Sequence, residues 1–291
     1  MSIAVLILFL VTSSATAFHS ILQHEINSKD QFDWPSLAAS RSLNFHTCYD
    51  GFECAKLLLP QNWNNPDDQQ YVSIAIIKLP ASVSESDPRH GGTIIHNPGG
   101  PGGSGVADLL VHGRYLQSVV TGDRHFDVLS FDPRGVYHST PTADCFENSA
   151  ARRMFTFQER EIGFLDEDWS VLKRRHALAQ AFGQVCAQTE SSSSSQSYQA
   201  RAHMSTAVVA RDMLEIVDQV EHKRLGKAGS FSGSSQMEAR LQYLGFSYGT
   251  HLGNTFASMF PNRVKSMVLD GVVDSDDYSG GVRIYEYLKL R

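Results

Sequence analysis

The strongest constraint on the fold is a serine between glycines, at the junction of a predicted strand and a predicted helix. The apolar run at 240–245 predicts a strand, and residues 247–260 carry apolar side chains at helical spacing. The G-x-S-x-G pattern around Ser247 is typical of a nucleophile elbow, whose small residues let strand and helix approach closely. Such a turn lifts the hydroxyl out of the sheet at a helix N-terminus, where developing negative charge is favoured. The alternative is a tight turn with a bystander serine.

A glycine-rich turn at 97–105 follows a short apolar strand predicted at 93–97 and precedes a helix predicted at 105–120. The turn lacks the Lys-Ser/Thr ending of a P-loop, and its prolines interrupt the G-x-G-x-x-G spacing, so a phosphate cradle is disfavoured. Acyl transfer needs two backbone N–H donors, one from such a loop and one from the residue after the nucleophile. We therefore predict Gly100 and Tyr248 as oxyanion donors. A plain Gly/Pro-rich turn is the alternative.

Strands and helices alternate along the chain, which favours a doubly wound, mostly parallel sheet covered by helices on both faces. The remaining predicted strands are 71–79, 126–132 and 264–270, and the remaining helices are 172–188 and 205–220. The pattern loosens at 144–200, which we interpret as a helical insertion with a serine-rich linker at 191–195. A Gly/Ser-rich loop is predicted at 226–235.

Composition is that of an ordinary globular protein, and the N-terminal residues indicate export. The 291 residues are 42% hydrophobic and 19% charged, which suits one domain with a sizeable core. A net charge of -6 gives no basic footprint for nucleic acid. Residues 1–17 form an apolar run ending in Ala-Thr-Ala, typical of a cleaved signal peptide and too short to span a bilayer. We expect a secreted protein without stable membrane insertion after cleavage; an uncleaved anchor or a buried N-terminal helix is the alternative.

The four cysteines are an even number in a chain predicted to enter an oxidising compartment, so disulfides are the natural interpretation. Three pairings are possible. Proximity in sequence favours Cys48 with Cys54, which leaves Cys145 with Cys186. Four buried free thiols are the alternative. No C-x-x-C pair or histidine at ligand spacing accompanies them, so a zinc site is not expected.

These segments together resemble the secreted tripeptidyl-aminopeptidase-like and prolyl-aminopeptidase-like serine hydrolases of the α/β-hydrolase superfamily. The resemblance runs from about Cys48 to Asp274. It is carried by Cys54-Ala55-Lys56-Leu57 with Leu59-Pro60 and Trp63, the 97–105 loop, Phe131-Asp132-Pro133-Arg134-Gly135 with Ser139-Thr140-Pro141, the 245–250 elbow, and Leu269-Asp270-Gly271-Val272-Val273-Asp274.

The resemblance implies a partial α/β-hydrolase domain at 18–291 that lacks the last strands of the fold. It implies Ser247 as the acyl-enzyme nucleophile, Gly100 and Tyr248 as oxyanion donors, and 132–135 as a structural turn beside the site. Members of this family release short N-terminal fragments from peptides, some act on esters or amides, and none needs a cofactor. We accordingly expect a peptide or a small ester or amide as substrate, and no cofactor or metal.

The other members of a catalytic triad are harder to place. In this fold the order along the chain is Ser, acid, His. The 44 residues after Ser247 contain one histidine, His251, whose ring should point away because it lies one helical turn along. The resemblance implies a structural role for Asp270, and chain order makes His96 and His138 neighbours of the site, not bases. We expect the acid and histidine beyond residue 291, in a truncated or mis-predicted gene product or a shortened paralogue.

The leading hypothesis is a serine hydrolase that cleaves a peptide or ester bond through a Ser247 acyl-enzyme. Losing triad members removes several orders of magnitude in rate, so we expect the serine of this chain alone to be poorly activated. A second hypothesis is a catalytically inactive accessory or binding module that keeps the elbow as scaffolding. A third is an esterase or thioesterase of small metabolites.

Overall fold

A seven-stranded mixed sheet forms the centre of the computed structural model, which describes residues 32–146, 148–163, 168–192, 200–227 and 238–280. The spatial order of the strands is β1-β2-β3-β5-β4-β6-β7. Strands β2 and β4 to β7 run in one direction, and β1 and β3 run against them. The prediction of a mostly parallel sheet is therefore confirmed. The strands are β1 (His46–Thr47), β2 (Glu53–Pro60), β3 (Tyr71–Leu79), β4 (His90–Asn97), β5 (His125–Phe131), β6 (Leu241–Phe246) and β7 (Val264–Asp270).

Helices cover both faces of this sheet. On one face, α1 packs Val106 and Leu109 against the sheet. On the other, α4 contributes Met213 and Ile216, and α5 contributes Phe256. This arrangement is the doubly wound architecture that the alternation of elements predicts. The helices are α1 (Gly105–Val120), α2 (Ser149–Glu161), α3 (Trp169–Ser192), α4 (Thr206–Lys227), α5 (Tyr248–Met259) and α6 (Ser275–Gly280), with short 3-10 turns at Trp34–Ser36 and Pro261–Arg263.

Strand β3 contributes side chains to the hydrophobic cores on both faces of the sheet. Successive side chains of a strand point to opposite faces, so alternate residues of β3 enter different cores. Ile74 and Ile76 pack on the α4 and α5 face, whereas Ala75 and Ile77 pack on the α1 face. Eight of its nine residues are buried, so β3 contributes apolar area to both halves of the interior.

Several element boundaries differ from the predictions. Strand β2 was not predicted as a strand: the sequence interpretation put its residues before the first strands, but they pair antiparallel with β3 along their full length. Helix α2 lies in the charged part of the segment interpreted as a helical insertion, was given no bounds of its own, and buries none of its residues. Helix α4 continues to Lys227, past its predicted end at Val220.

Two disulfides fasten peripheral segments to this framework. Cys48 is bonded to Cys54 at the start of β2, and Cys145 is bonded to Cys186 in α3. The second bond ties α3 to the segment that leaves the sheet after β5. These are the pairings that proximity in sequence favours, and no free cysteine is present.

Some predictions concern residues outside the described ranges. These are the signal peptide at 1–17, most of the serine-rich linker at 191–195, most of the Gly/Ser-rich loop at 226–235, and the chain after residue 280. Within the described ranges, none of the helices combines the length and hydropathy required to cross a membrane.

Candidate active site

The carboxyl ends of four neighbouring parallel strands meet at one edge of the sheet. Strand β5 lies beside β4, β4 beside β6, and β6 beside β7. Ligands of open α/β sheets bind outside the carboxyl ends of the strands. The glycine-rich loop after β4 and the serine turn after β6 therefore emerge side by side at the edge where such sites form.

Ser247 occupies the sharp turn between β6 and α5. Its backbone has φ 53° and ψ -125°, a conformation that costs a residue with a side chain about 1–3 kcal/mol. The Ser247 N–H donates to the Asp270 carbonyl at 3.0 Å, and Thr250 donates to the Ser247 carbonyl from its N–H at 2.9 Å and its hydroxyl at 2.7 Å. These bonds fix the strained turn on both sides, and the Ser247 side chain is exposed.

The glycine after the tyrosine of the elbow permits the close approach of strand and helix. A Cβ built on Gly249 would lie 2.6 Å from the Asn97 carbonyl oxygen and 2.9 Å from its side-chain oxygen. Any side chain at this position would push the first turn of α5 away from the end of β4. The close packing of α5 against β4 therefore requires glycine at position 249 of the elbow motif.

The glycine-rich loop touches the elbow directly. A Cβ built on Gly99 would lie 2.9 Å from the Tyr248 nitrogen and 3.1 Å from Ser247 Cβ. The loop is closed by two hydrogen bonds, from the Gly99 N–H to the Asn97 side chain at 3.0 Å and from the Gly103 N–H to the Gly99 carbonyl at 3.2 Å. The loop is thus held against the exposed serine.

The two N–H groups predicted as oxyanion donors lie on this loop and on the first residue of α5. Among the described residues, neither the Gly100 nor the Tyr248 N–H donates to a protein acceptor. A free N–H is normal at the first positions of a helix, where no preceding turn supplies a carbonyl. The Tyr248 side chain is held separately, by a 2.7 Å hydrogen bond between its hydroxyl and that of Thr206.

Asp132 joins the loop to the next strand, a role that the sequence interpretation missed. This fully buried carboxylate accepts from the Ser104 hydroxyl at 2.6 Å, from the Val106 N–H at 3.1 Å and from the His138 N–H at 3.0 Å. Burial raises the pKa of Asp132, and these hydrogen bonds oppose the rise. Because Ser104 ends the loop and caps α1, Asp132 fixes the exit of the loop.

The turn after Asp132 is anchored by a buried ion pair. The Arg134 guanidinium makes two hydrogen bonds to Asp212 of α4, at 2.6 and 2.7 Å, and also donates to the backbone carbonyls of Pro60 and Gln61. Both charged side chains are almost completely buried. Burial raises the pKa of Asp212, and its bonds to Arg134 act in the opposite direction. The resemblance implied a structural turn here, but Asp212 was not identified from the sequence.

The structure accounts for each histidine considered from the sequence. His251 is buried with its Nδ1 2.9 Å from the Ser275 hydroxyl and its ring beside Tyr248. His96 is buried with its Nε2 2.7 Å from a carboxylate oxygen of Asp108. His138 stacks on Trp34. Within the described residues, no histidine is hydrogen-bonded to the Ser247 hydroxyl.

Two other groups complete the description of the site. The Asp270 carbonyl accepts from Ser247 while its side chain is exposed, so in the described structure Asp270 acts through its backbone. In the described part of the chain, no group of three or more His, Cys, Asp or Glu side chains is placed to hold a metal ion.

Comparison with known proteins finds no matching family model. The chain is similar to serine protease Hip1 of Mycobacterium tuberculosis, with 32% identity over 224 residues that cover 77% of this chain and 36% of that protein. It is 29% identical to tripeptidyl aminopeptidase of Streptomyces lividans over 242 residues, covering 83% of this chain and 38% of that protein. A shorter match of 94 residues, 37% identical, links 32% of this chain to 16% of carboxylesterase B of Mycobacterium tuberculosis. The chain thus spans well under half the length of these relatives.

Proposed function

Because the chain belongs to the peptidase-like serine hydrolases of the α/β-hydrolase fold, we propose that Ser247 is the nucleophile of an acyl-transfer reaction on a peptide or ester bond. One observation carries the proposal: Ser247 is exposed on a strained turn that lies so close to a glycine-rich loop that Gly99 has no room for a side chain. Strain of this kind persists only where the surrounding structure fixes it, and it concentrates at functional sites. The names of the relatives, a serine protease, an aminopeptidase and a carboxylesterase, support the same chemistry.

In the proposed reaction the Ser247 oxygen bonds to the carbonyl carbon as the hydroxyl proton passes to a general base, and the carbonyl oxygen becomes an anion. We assign the stabilisation of that anion to the N–H groups of Gly100 and Tyr248. The N-terminus of α5 adds a favourable dipole. As the tetrahedral intermediate collapses, the protonated base returns the proton to the departing nitrogen or oxygen, so the amine or alcohol leaves and the acyl-enzyme remains. Water then hydrolyses the acyl-enzyme to the acid and free serine.

The general base is not assigned to any described residue. No described imidazole is hydrogen-bonded to the Ser247 hydroxyl, and the three histidines considered from the sequence, His251, His96 and His138, have other partners. A serine without its base keeps only the part of the rate that binding and the oxyanion hole supply. The second candidate function is an accessory or binding module that retains the elbow but does not turn over substrate, and the structural partners of these histidines are compatible with it.

A fluorophosphonate probe separates the two functions, because it reacts with activated serines. We expect the full chain to be labelled, the Ser247→Ala variant to lose the label, and Ser118→Ala to keep it. Ser118 is a suitable control because its hydroxyl is exposed on α1, where it bonds only to the Tyr115 carbonyl. A folded chain that takes up no label would contradict the enzyme proposal and support the binding module. Label retained in Ser247→Ala would place the reactive group elsewhere.

We further propose that the protein is exported and acts in an oxidising compartment. All four cysteines are joined in two disulfides, and disulfides form and persist in secreted proteins. The apolar run at 1–17 is the proposed export signal. Mass spectrometry of protein secreted by an expression host tests this: a mature N-terminus near residue 18 is expected, and an intact Met1 in the secreted fraction would contradict it.

A third measurement distinguishes a peptidase from an esterase. A peptide amide and the ester of the same acyl group present the same groups to the site but differ in leaving group. We expect turnover of both, abolished by Ser247→Ala. If only the ester is turned over, for every acyl group tried, the result would favour an esterase over a peptidase.

A further inference from the structure

Tyr137 is an exposed tyrosine in a backbone conformation that ordinarily selects glycine or asparagine. Its φ is 44°, in the left-handed region, which a bulky side chain rarely adopts. Its side chain is 64% exposed, so burial does not offset the strain. The described structure therefore gives Tyr137 a conformational cost with no compensating gain in the core.

The neighbours of Tyr137, and not its own side chain, impose this conformation. The Val136 N–H donates to the Pro133 carbonyl at 3.0 Å, and the Ser139 N–H donates to the Val136 carbonyl at 2.9 Å. Asp132 accepts from the His138 N–H through its carboxylate and from the Ser139 hydroxyl through its carbonyl. Glycine would fit this turn without strain, so the phenol ring is free to serve another purpose.

The Tyr137 ring lies against two further aromatic side chains. The Tyr137 and His138 ring centroids are 4.0 Å apart with the rings inclined at 57°, and His138 is stacked on Trp34 at 4.9 Å and an interplanar angle of 17°. We refer to these three side chains as the stack. Burial, reinforced by the charge of Lys56, lowers the pKa of His138 to about 4, so the middle ring is uncharged at neutral pH.

The stack stands at the same edge of the sheet as Ser247. Its turn follows β5, which is separated from β6 by β4 alone. The Asp132 carboxylate binds both the His138 N–H and the Ser104 hydroxyl at the end of the glycine-rich loop, which fixes the stack relative to that loop.

We propose that Tyr137, supported by His138 and Trp34, forms a binding subsite for an aromatic side chain of a peptide that is bound at the carboxyl edge of the sheet. This inference rests on the proposed function, because it names a substrate feature recognised beside the Ser247 site. Aromatic rings prefer offset or edge contacts with other rings, which an exposed tyrosine on a rigid stack can supply.

Binding to the Ser247→Ala form of the full chain tests the subsite without requiring turnover. The probes are hexa-alanine peptides in which one phenylalanine is moved through each position, titrated by calorimetry. We expect one position to favour phenylalanine. In Tyr137→Asn, which tolerates the same backbone region, affinity for that peptide should fall roughly 2- to 12-fold, while affinity for hexa-alanine should stay unchanged. Tyr137→Phe should bind like the parent.

Matched controls separate recognition from a structural role. Tyr115→Ala removes a tyrosine of similar exposure, 69%, from the outer face of α1 and should not change any affinity. The urea midpoint of Tyr137→Asn should equal or exceed that of the parent, because the strain is relieved; a large fall would assign the ring to folding and overturn the inference.

An unchanged phenylalanine preference in Tyr137→Asn would also overturn the inference and leave the proposed function intact. If none of the peptides binds the Ser247→Ala chain, the subsite is rejected, and fluorophosphonate labelling of Ser247 then decides the proposed function independently.

Discussion

Replacing Gly99 by alanine tests whether the glycine-rich loop and the elbow are in direct contact. Gly99 has φ +97°, and a Cβ at this position would lie 2.4 Å from the Phe246 carbonyl oxygen, 2.9 Å from the Tyr248 nitrogen and 3.1 Å from Ser247 Cβ. Two of these atoms belong to the backbone and the third is the first atom of a side chain, so none can rotate away. The alanine therefore introduces both backbone strain and a steric clash.

Gly102 of the same loop supplies a control for the backbone strain alone. It has φ +89°, and no heavy atom lies within 4 Å of its built Cβ. Left-handed backbone costs a residue with a Cβ roughly 1–2 kcal/mol, and overpacking a tight contact costs about 1–3 kcal/mol more. We expect Gly102→Ala to lower the free energy of unfolding by about 1–2 kcal/mol and Gly99→Ala by about 2–5 kcal/mol.

Urea denaturation followed by far-UV circular dichroism measures the free energy of unfolding of both variants in the same buffer. In thermal melts, at roughly 2–4 °C per kcal/mol for a domain of this size, the melting temperatures of the two variants should differ by about 2–12 °C. Gly99→Ala should also slow fluorophosphonate labelling of Ser247 relative to Gly102→Ala, because the clash displaces an N–H that we assign to the oxyanion. Equal losses of stability in the two variants would refute the direct contact.

Three further outcomes follow from buried groups and a cross-link. Arg134→Met leaves the Asp212 carboxylate without its guanidinium partner and should lower the free energy of unfolding in urea by about 3–5 kcal/mol. Adding Asp212→Leu should recover most of that loss. A double variant that is no more stable than Arg134→Met would contradict this. The pKa of His138, lowered to about 4 by burial, lies below the unfolded value of about 6.5, so the unfolded state binds the extra proton and stability should fall as pH drops from about 6.5 to about 4. His138→Phe should flatten that part of the pH profile, and an unchanged slope would assign the effect to other groups. Replacing Cys145 and Cys186 together by alanine removes a bond between residues 41 positions apart and should lower the free energy of unfolding by about 4 kcal/mol. A loss below about 1 kcal/mol would show that the segment is ordered without the disulfide.

Local signals made part of the fold predictable. Helix α1 has the predicted bounds, Gly105–Val120, because Ser104 caps its first turn and apolar residues recur at helical spacing. Strand β3 likewise has the predicted bounds, Tyr71–Leu79. Strand β2 was missed although its residues were noticed, because Lys56 interrupts its apolar run. Only pairing with β3, on a different part of the chain, makes it a strand.

The candidate site shows the same division. The position of Ser247 and of the loop at 97–105 between a strand and a helix could be predicted because each motif is contiguous. The partnership of Arg134 with Asp212 joins residues 78 apart, and that of Ser104 with Asp132 joins residues 28 apart. Nothing in a local pattern identifies such partners. Asp212 also lies among the apolar residues of α4, where periodicity alone predicts another hydrophobic side chain.

Backbone strain in this molecule is concentrated where the proposed chemistry takes place. In the described ranges, three residues other than glycine have positive φ: Ser247 follows β6, Tyr137 lies in the turn after β5, and Gln69 lies in the loop between β2 and β3, which leaves the sheet at the same edge. A strained turn persists only if its surroundings are more stable than the strain is costly. The buried Asp132 carboxylate, and the Arg134–Asp212 pair beneath the same turn, supply that rigidity with polar groups whose bonding partners are fixed in direction. An apolar core could match their contribution to stability, but it would not hold a loop and a turn in register to within a hydrogen-bond length. For this reason we expect substitutions at Asp132 to change the geometry at Ser247 more than their effect on the free energy of unfolding would indicate.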